Sequence, residues 1–330
     1  MNRRAIITLA VPAAVALAFW AYKHESSPAS RQPQATPSLT KITINEAART
    51  LLYLPLYHAV ERGFFNEAGI EVNIVTGGTA TASFAAMTSG EAEFAQADPM
   101  YVPISREKGA KTKVVAQVVG RIAVWGTTLV PDIKELNAAS LKGRTISTHP
   151  RPMTAFTYAE KLVKDVGLQP EVDVKFLTSK PGTELAALLN HQADILVSLE
   201  PTTSLAEMQG AHVVHSFPSQ FGDQVFTALM TREELIATSP DLVKRVVACY
   251  QRALDDIHSD ANASLKTAIK YFPQLDLEAL KMAIARITAD QVIPKSVTIS
   301  KESWDKAAAV RVAAGDIKQM PPIEDSVVQP

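Results

Sequence analysis

One order of segments is written twice along this chain, and that repetition limits its fold more than any other feature. The first copy opens with KITINEA (41–47), which alternates as a strand. TLLYLPLYHAVERGFF (50–65) then has helical spacing and ends near Gly63, and IEVNIV (70–75) is a strand again. Thr76-Gly77-Gly78 is a turn, Thr79 stands as the N-cap of ATASFAAM, and AEFAQA (92–97) is closed by Asp98-Pro99. The second copy runs GRTISTH (143–149), MTAFTYAEKLVKDVGL (153–168) and VDVKFL (172–177). A turn and cap at Pro181-Gly182-Thr183 lead into ELAALLNHQ, and ADILVSL (193–199) is closed by Glu200-Pro201. Strands alternating with helices predict an α/β fold, and right-handed crossovers make each copy a mainly parallel sheet flanked by helices.

The rest of the chain frames these two units. Residues 230–320 read as helical, with Ser239-Pro240-Asp241 opening LVKRVVACYQRALDDI, a second pattern from Leu275 to Ile287, and a last helix from Ser300 through Ala314. At the other end, Arg3 and Arg4 precede an uncharged apolar run, Ala5 to Tyr22. This reads either as a secretory signal or as an uncleaved anchor of just spanning length. Both place the remainder outside the cytoplasmic membrane, in the periplasm. Residues 23–40, rich in Ser, Pro, Gln and Ala, are linker.

Lys plus Arg number 33 against 34 Asp plus Glu, which leaves no basic surplus for a nucleic-acid partner. Cys249 is the single cysteine, so no disulfide, CxxC pair or thiolate zinc site is available, and its place on a helix's apolar side reads as a buried small hydrophobe. There is no GxGxxG, phosphate loop, GxSxG or HExxH. His212 and His215 share a strand pattern, where residues three apart face opposite sides, so no metal site is expected there. Neither an enzyme nor a cofactor is implied.

Ligands of open parallel sheets sit beyond the carboxyl ends of the strands. Those ends carry matching groups in the two copies: an arginine in each first loop (Arg49, Arg151), a Gly-Thr helix start in each second loop, and an acid-proline end on each third strand (Asp98, Glu200). Gly77, Gly78 and Thr79 open a helix whose N-terminus favours an anion, and an arginine on each side of a crevice suits a carboxylate or sulfonate. Arg121 and Thr154 complete the candidate anion contacts, and Tyr53 is the candidate ring for stacking. If the two acids also line the crevice, the ligand carries an amine or several N–H donors.

LYLPLYHAVERGFFNEAGIEVNIV, the following GG and MTSGEAEFAQADP together resemble the nitrate, sulfonate and taurine group of ABC-transporter solute-binding proteins, a group related to the thiamine-pyrimidine-precursor binding proteins. LKGRTIST, HQADILVSLEP, TSPDLVKRVVACYQRALDDI and VTISKESWDKA extend the likeness over about residues 41–325. The resemblance implies a two-lobe periplasmic binding fold of cluster type II, with crossings near Val124–Thr128 and Gly222–Thr227. Lobe one would hold 41–124 plus 227–330, and lobe two 125–226. It implies a monomer that closes over a small organic anion and delivers it to a membrane permease driven by an ATPase. A pyrimidine-precursor binder and a membrane-anchored ligand sensor are the alternatives.

Overall fold

The computed structural model describes residues 39–329 apart from 152 and 181. The expected signal or anchor, and all of the linker but its last two residues, lie outside them. No helix among the described residues is long and apolar enough to cross a membrane.

Among the described residues, ten strands form two five-stranded sheets. Sheet one takes β1 (Thr40–Glu46), β2 (Ile70–Thr76), β3 (Phe94–Ala97), β4 (Thr112–Arg121) and β10 (Asp223–Arg232), in the order β2-β1-β3-β10-β4. Sheet two takes β5 (Trp125–Thr128), β6 (Thr145–Thr148), β7 (Lys175–Thr178), β8 (Ile195–Ser198) and β9 (His212–Ser216), in the order β7-β6-β8-β5-β9. The two orders match position for position. In each, three parallel strands from one sequence copy are joined by one antiparallel strand, β10 or β5, and a fifth that runs with the first three. The chain leaves sheet one after Arg121 and returns through Gly222. Asp223 pairs with Arg121, so sheet one resumes at 223.

Alternation along the strands makes both faces of each sheet apolar. Ile42, Ile44 and Phe94 pack with the helices α1 (Leu54–Glu61), α6 (Pro240–Ser259), α7 (Ala261–Tyr271) and α8 (Leu277–Ala289). Ala95 and Ala97 face the other way, onto α2 (Ala80–Ser89) and α9 (Lys301–Ala313). In sheet two, Ile195 and Val197 meet α3 (Thr154–Asp165), while Leu196 meets α4 (Glu184–Leu189) and α5 (Thr202–Met208). α6 buries Val243, Val246, Val247, Tyr250, Ala253, Leu254 and Ile257, the 3–4 spacing of its sequence. Cys249 lies in the same core, where burial pushes its thiol up to about 11, and it donates weakly to Phe64 O.

Candidate functional site

The crevice side of sheet one is organised by an acid. Ile42, Ile44 and Glu46 share one face of β1, so the strand that buries two isoleucines also buries a carboxylate at its end. Glu46 is fully enclosed and accepts from Arg49 Nε at 2.8 Å, Tyr57 Oη at 2.6 Å and Thr76 Oγ1 at 2.8 Å. Charge-assisted bonds of this kind are what a buried carboxylate requires. One residue thereby ties Arg49, at the end of β1, to Thr76, at the end of β2. Arg49 also lies over the stacked rings of Tyr57 and Tyr271, its guanidinium carbon 5.1 and 5.8 Å from their centroids. Among the described residues its Nε alone is hydrogen-bonded, and the side chain remains 39% exposed.

Thr76 leads directly into the turn before α2. Thr79 caps that helix, accepting from Ala82 N at 3.0 Å, as its sequence position predicts. Gly77 has a packing reason: a Cβ there would fall 2.6 Å from Asn45 Oδ1 and 3.0 Å from Ser83 N. Gly78 has φ +80° with open space around it, so the turn needs glycine for its left-handed backbone. In the second copy the corresponding cap does not form. Thr183 has φ −112° and ψ −9°, and its hydroxyl donates to Lys180 O at 2.7 Å instead of accepting from the helix.

Two of the candidate residues meet across the crevice. Asp98, after β3, accepts from Arg311 and stands 3.3 Å from Thr154 Oγ1, at the first turn of α3. Arg311, buried on α9, also reaches Asp316 at 3.0 Å, and the charge of Asp98 raises its pKa further above the usual guanidinium range. Sheet-one and sheet-two loops are therefore joined through a residue far along the chain. Nothing in the loops themselves points to Arg311. The signal lies in its helix, where Trp304, Ala307, Ala308 and Arg311 recur at 3–4 spacing and so share the buried stripe.

Glu200, closing β8, is also held across the molecule. It accepts from Arg286 of α8 at 2.8 Å and from Ser204 N and Oγ, each at 3.1 Å; Arg286 also bonds Glu207. Burial pushes the Glu200 carboxyl up to about 7, against the pull of Arg286 and Ser204. Arg151 folds back within its own unit, 2.6 Å from Glu160 and over the ring of Phe156.

The remaining two candidates, Arg121 and Tyr53, are held by other contacts. Arg121 spans the crossing between the sheets, bonding Asp223 at 2.8 Å, Asp290 O at 3.2 Å and Gln291 at 3.1 Å. Tyr53 is 6% exposed in the core of sheet one, so its ring packs rather than offering a face. Nearby, Trp125 Nε1 donates to Asp290 at 2.6 Å, which fixes the start of β5 to the end of α8.

This arrangement, two sheets of matching strand order joined by two crossings with polar groups gathered at their carboxyl ends, is that of the periplasmic binding proteins. The NMT1/THI5-like family model matches residues 52–264, and the chain belongs to that family. Among its relatives, YtlA of Bacillus subtilis is 22% identical over 297 residues, 88% of each chain. The riboflavin-binding protein RibY of Chloroflexus aurantiacus is 26% identical over 267 residues, 77% of this chain and 73% of its own. Among solved structures, the alkanesulfonate-binding protein SsuA from Xanthomonas axonopodis pv. citri, bound to MOPS, superposes with a TM-score of 0.69. It covers 89% of this chain and 100% of that one at 15% identity, a likeness of fold.

Proposed function

We propose that this chain is an extracytoplasmic solute receptor of an ABC importer, which closes over a small organic anion and hands it unchanged to a permease driven by an ATPase. The observation that carries the anion is the Glu46 junction. It bonds both Arg49 and Thr76, the residue that leads into the turn before α2, and on this reading the Arg49 fork and the start of that helix share the anion. A helix N-terminus and an arginine fork both favour a carboxylate or sulfonate. On this reading the two sheets are the lobes, and the Asp98–Arg311–Thr154 contact, which joins loops of both sheets, belongs to their closed arrangement.

The name of RibY favours a second reading, a flat heterocycle, but Tyr53 is packed away and would not stack on it. A thermal-shift screen decides between them, with sulfonates, nitrate, carboxylates, pyrimidines and riboflavin as the panel and a mass-spectrometric check that the hit is recovered intact. Ligand at 100 times its dissociation constant adds about 2.7 kcal/mol, a shift of several degrees. An anion hit that weakens tenfold or more (about 1.4 kcal/mol) in Arg49→Ala is the expected result. Arg151→Ala is expected to cost less than about 1 kcal/mol, because that side chain is 60% exposed and already paired with Glu160 of the helix that follows it. A heterocycle hit indifferent to Arg49, or a chemically altered ligand, overturns the reading.

A further inference from the structure

Two short segments carry the chain between the sheets: β4 ends at Arg121 before β5 begins at Trp125, and β9 ends at Ser216 before β10 begins at Asp223. Two such joints define an axis and leave rotation about it free, so a fixed angle between the sheets needs a further attachment. The last turn of α8 supplies one. Its main chain is held to sheet one: Asp290 O accepts from Arg121 Nη1 at 3.2 Å, and Val292 O accepts from Gly120 N at 2.9 Å. Ile287 buries the same turn in the core of that sheet. The polar side chains of the turn reach sheet two. Asp290 Oδ2 accepts from Trp125 Nε1 at 2.6 Å and from Ser216 Oγ at 3.0 Å, and Ser219 Oγ stands 3.4 Å from Oδ1. Trp125 and Ser216 are paired across β5 and β9, so one carboxylate holds the residues at which the chain enters and leaves sheet two. Arg286, one turn earlier on the same face of α8, donates to Glu200 Oε1 at 2.8 Å and also bonds Glu207 of α5. The turn thereby grips the ends of three neighbouring strands, β8, β5 and β9. Trp125 is 1% exposed, so a rotation that parts it from Asp290 leaves a buried indole N–H unmet.

We propose that the last turn of α8, through Asp290 and Arg286, is a brace that sets the angle between the two lobes. This rests on the two-lobe receptor reading above. The brace shares no residue with the Arg49 site or with the Asp98–Arg311–Thr154 contact. It acts on affinity through the fraction of molecules whose lobes stand at the binding angle, and both its residues are positioning residues.

Paired spin labels read the angle in the purified protein with no solute added, one at Glu91→Cys before β3 and one at Lys142→Cys before β6. Both positions are exposed, and Cys249 is enclosed and does not compete for the label. Losing one charge-assisted hydrogen bond changes an equilibrium by about tenfold. Asp290→Ala and Arg286→Gln are therefore each expected to raise the ratio of other distances to the wild type's main distance by about tenfold. Tryptophan emission is expected to move to longer wavelength in Asp290→Ala. A label pair within sheet one, Glu71→Cys with Glu91→Cys, is expected to stay unchanged, which separates a turned lobe from a loosened fold. Ser216→Ala removes one donor and keeps the indole bond, so it is expected to give a smaller change of the same kind, and it serves if Asp290→Ala does not fold. Distances that match the wild type in all three variants overturn the brace, and so does a change that the sheet-one pair shares. Because no solute is added, either result leaves the receptor reading to the thermal-shift screen.

Discussion

Glu46 is the residue on which the sheet-one side of the crevice turns, and it is readable in KITINEA only once the strand's inward face is known. An acid in phase with Ile42 and Ile44 must be buried, and a buried acid must be met. The loop residues Arg49 and Thr76 that meet it were visible as candidates or turn signals; the acid that joins them was not, because alternation alone does not say which end of a strand is enclosed. Gly77 teaches a related lesson. The sequence places it in the turn expected to meet an anion, and the Cβ contacts at 2.6 and 3.0 Å add a reason of the loop's own packing. Gly77→Ala is therefore expected to destabilise the fold by about 1–3 kcal/mol in chemical denaturation. An unchanged midpoint would mean that Asn45 swings aside at no cost.

At the scale of elements, most of the twofold pattern was legible, because period-2 and period-3.6 runs with Gly and Pro punctuation need no tertiary information. The antiparallel strands β5 and β10 were not, since each is inserted into a sheet by the crossings rather than by a local repeat. The two threonine helix starts looked equivalent and are not. Thr79 has extended backbone and caps Ala82, whereas Thr183 is already helical and donates to Lys180 O. Thr79→Ala is expected to cost about 1 kcal/mol and Thr183→Ala close to nothing, measured as paired shifts in denaturation midpoint. Equal losses would contradict the assignment of the cap.

Over the whole molecule, long-range ion pairs join elements that the sequence keeps far apart. Arg311 meets Asp98 and Arg286 meets Glu200, so the helical third of the chain supplies cations to acids at the ends of both sheets. Glu200 gives this a pH signature. Its folded carboxyl holds a proton up to about 7, against an ordinary value of 4.5, so the folded state binds more protons between those values. Stability from this group is complete below about pH 4.5 and declines as pH rises to 7, by on the order of 3 kcal/mol at most. Denaturation of Glu200→Gln across that window is expected to lack this decline; an identical profile would place the proton elsewhere. The central claim, one anion held between two lobes beside Arg49, is tested most directly by calorimetric titration of the panel's best anion into the wild type and Arg49→Ala. The account requires one ligand per chain and an affinity at least about tenfold lower in the variant. A stoichiometry other than one, or equal affinity in both proteins, would contradict it.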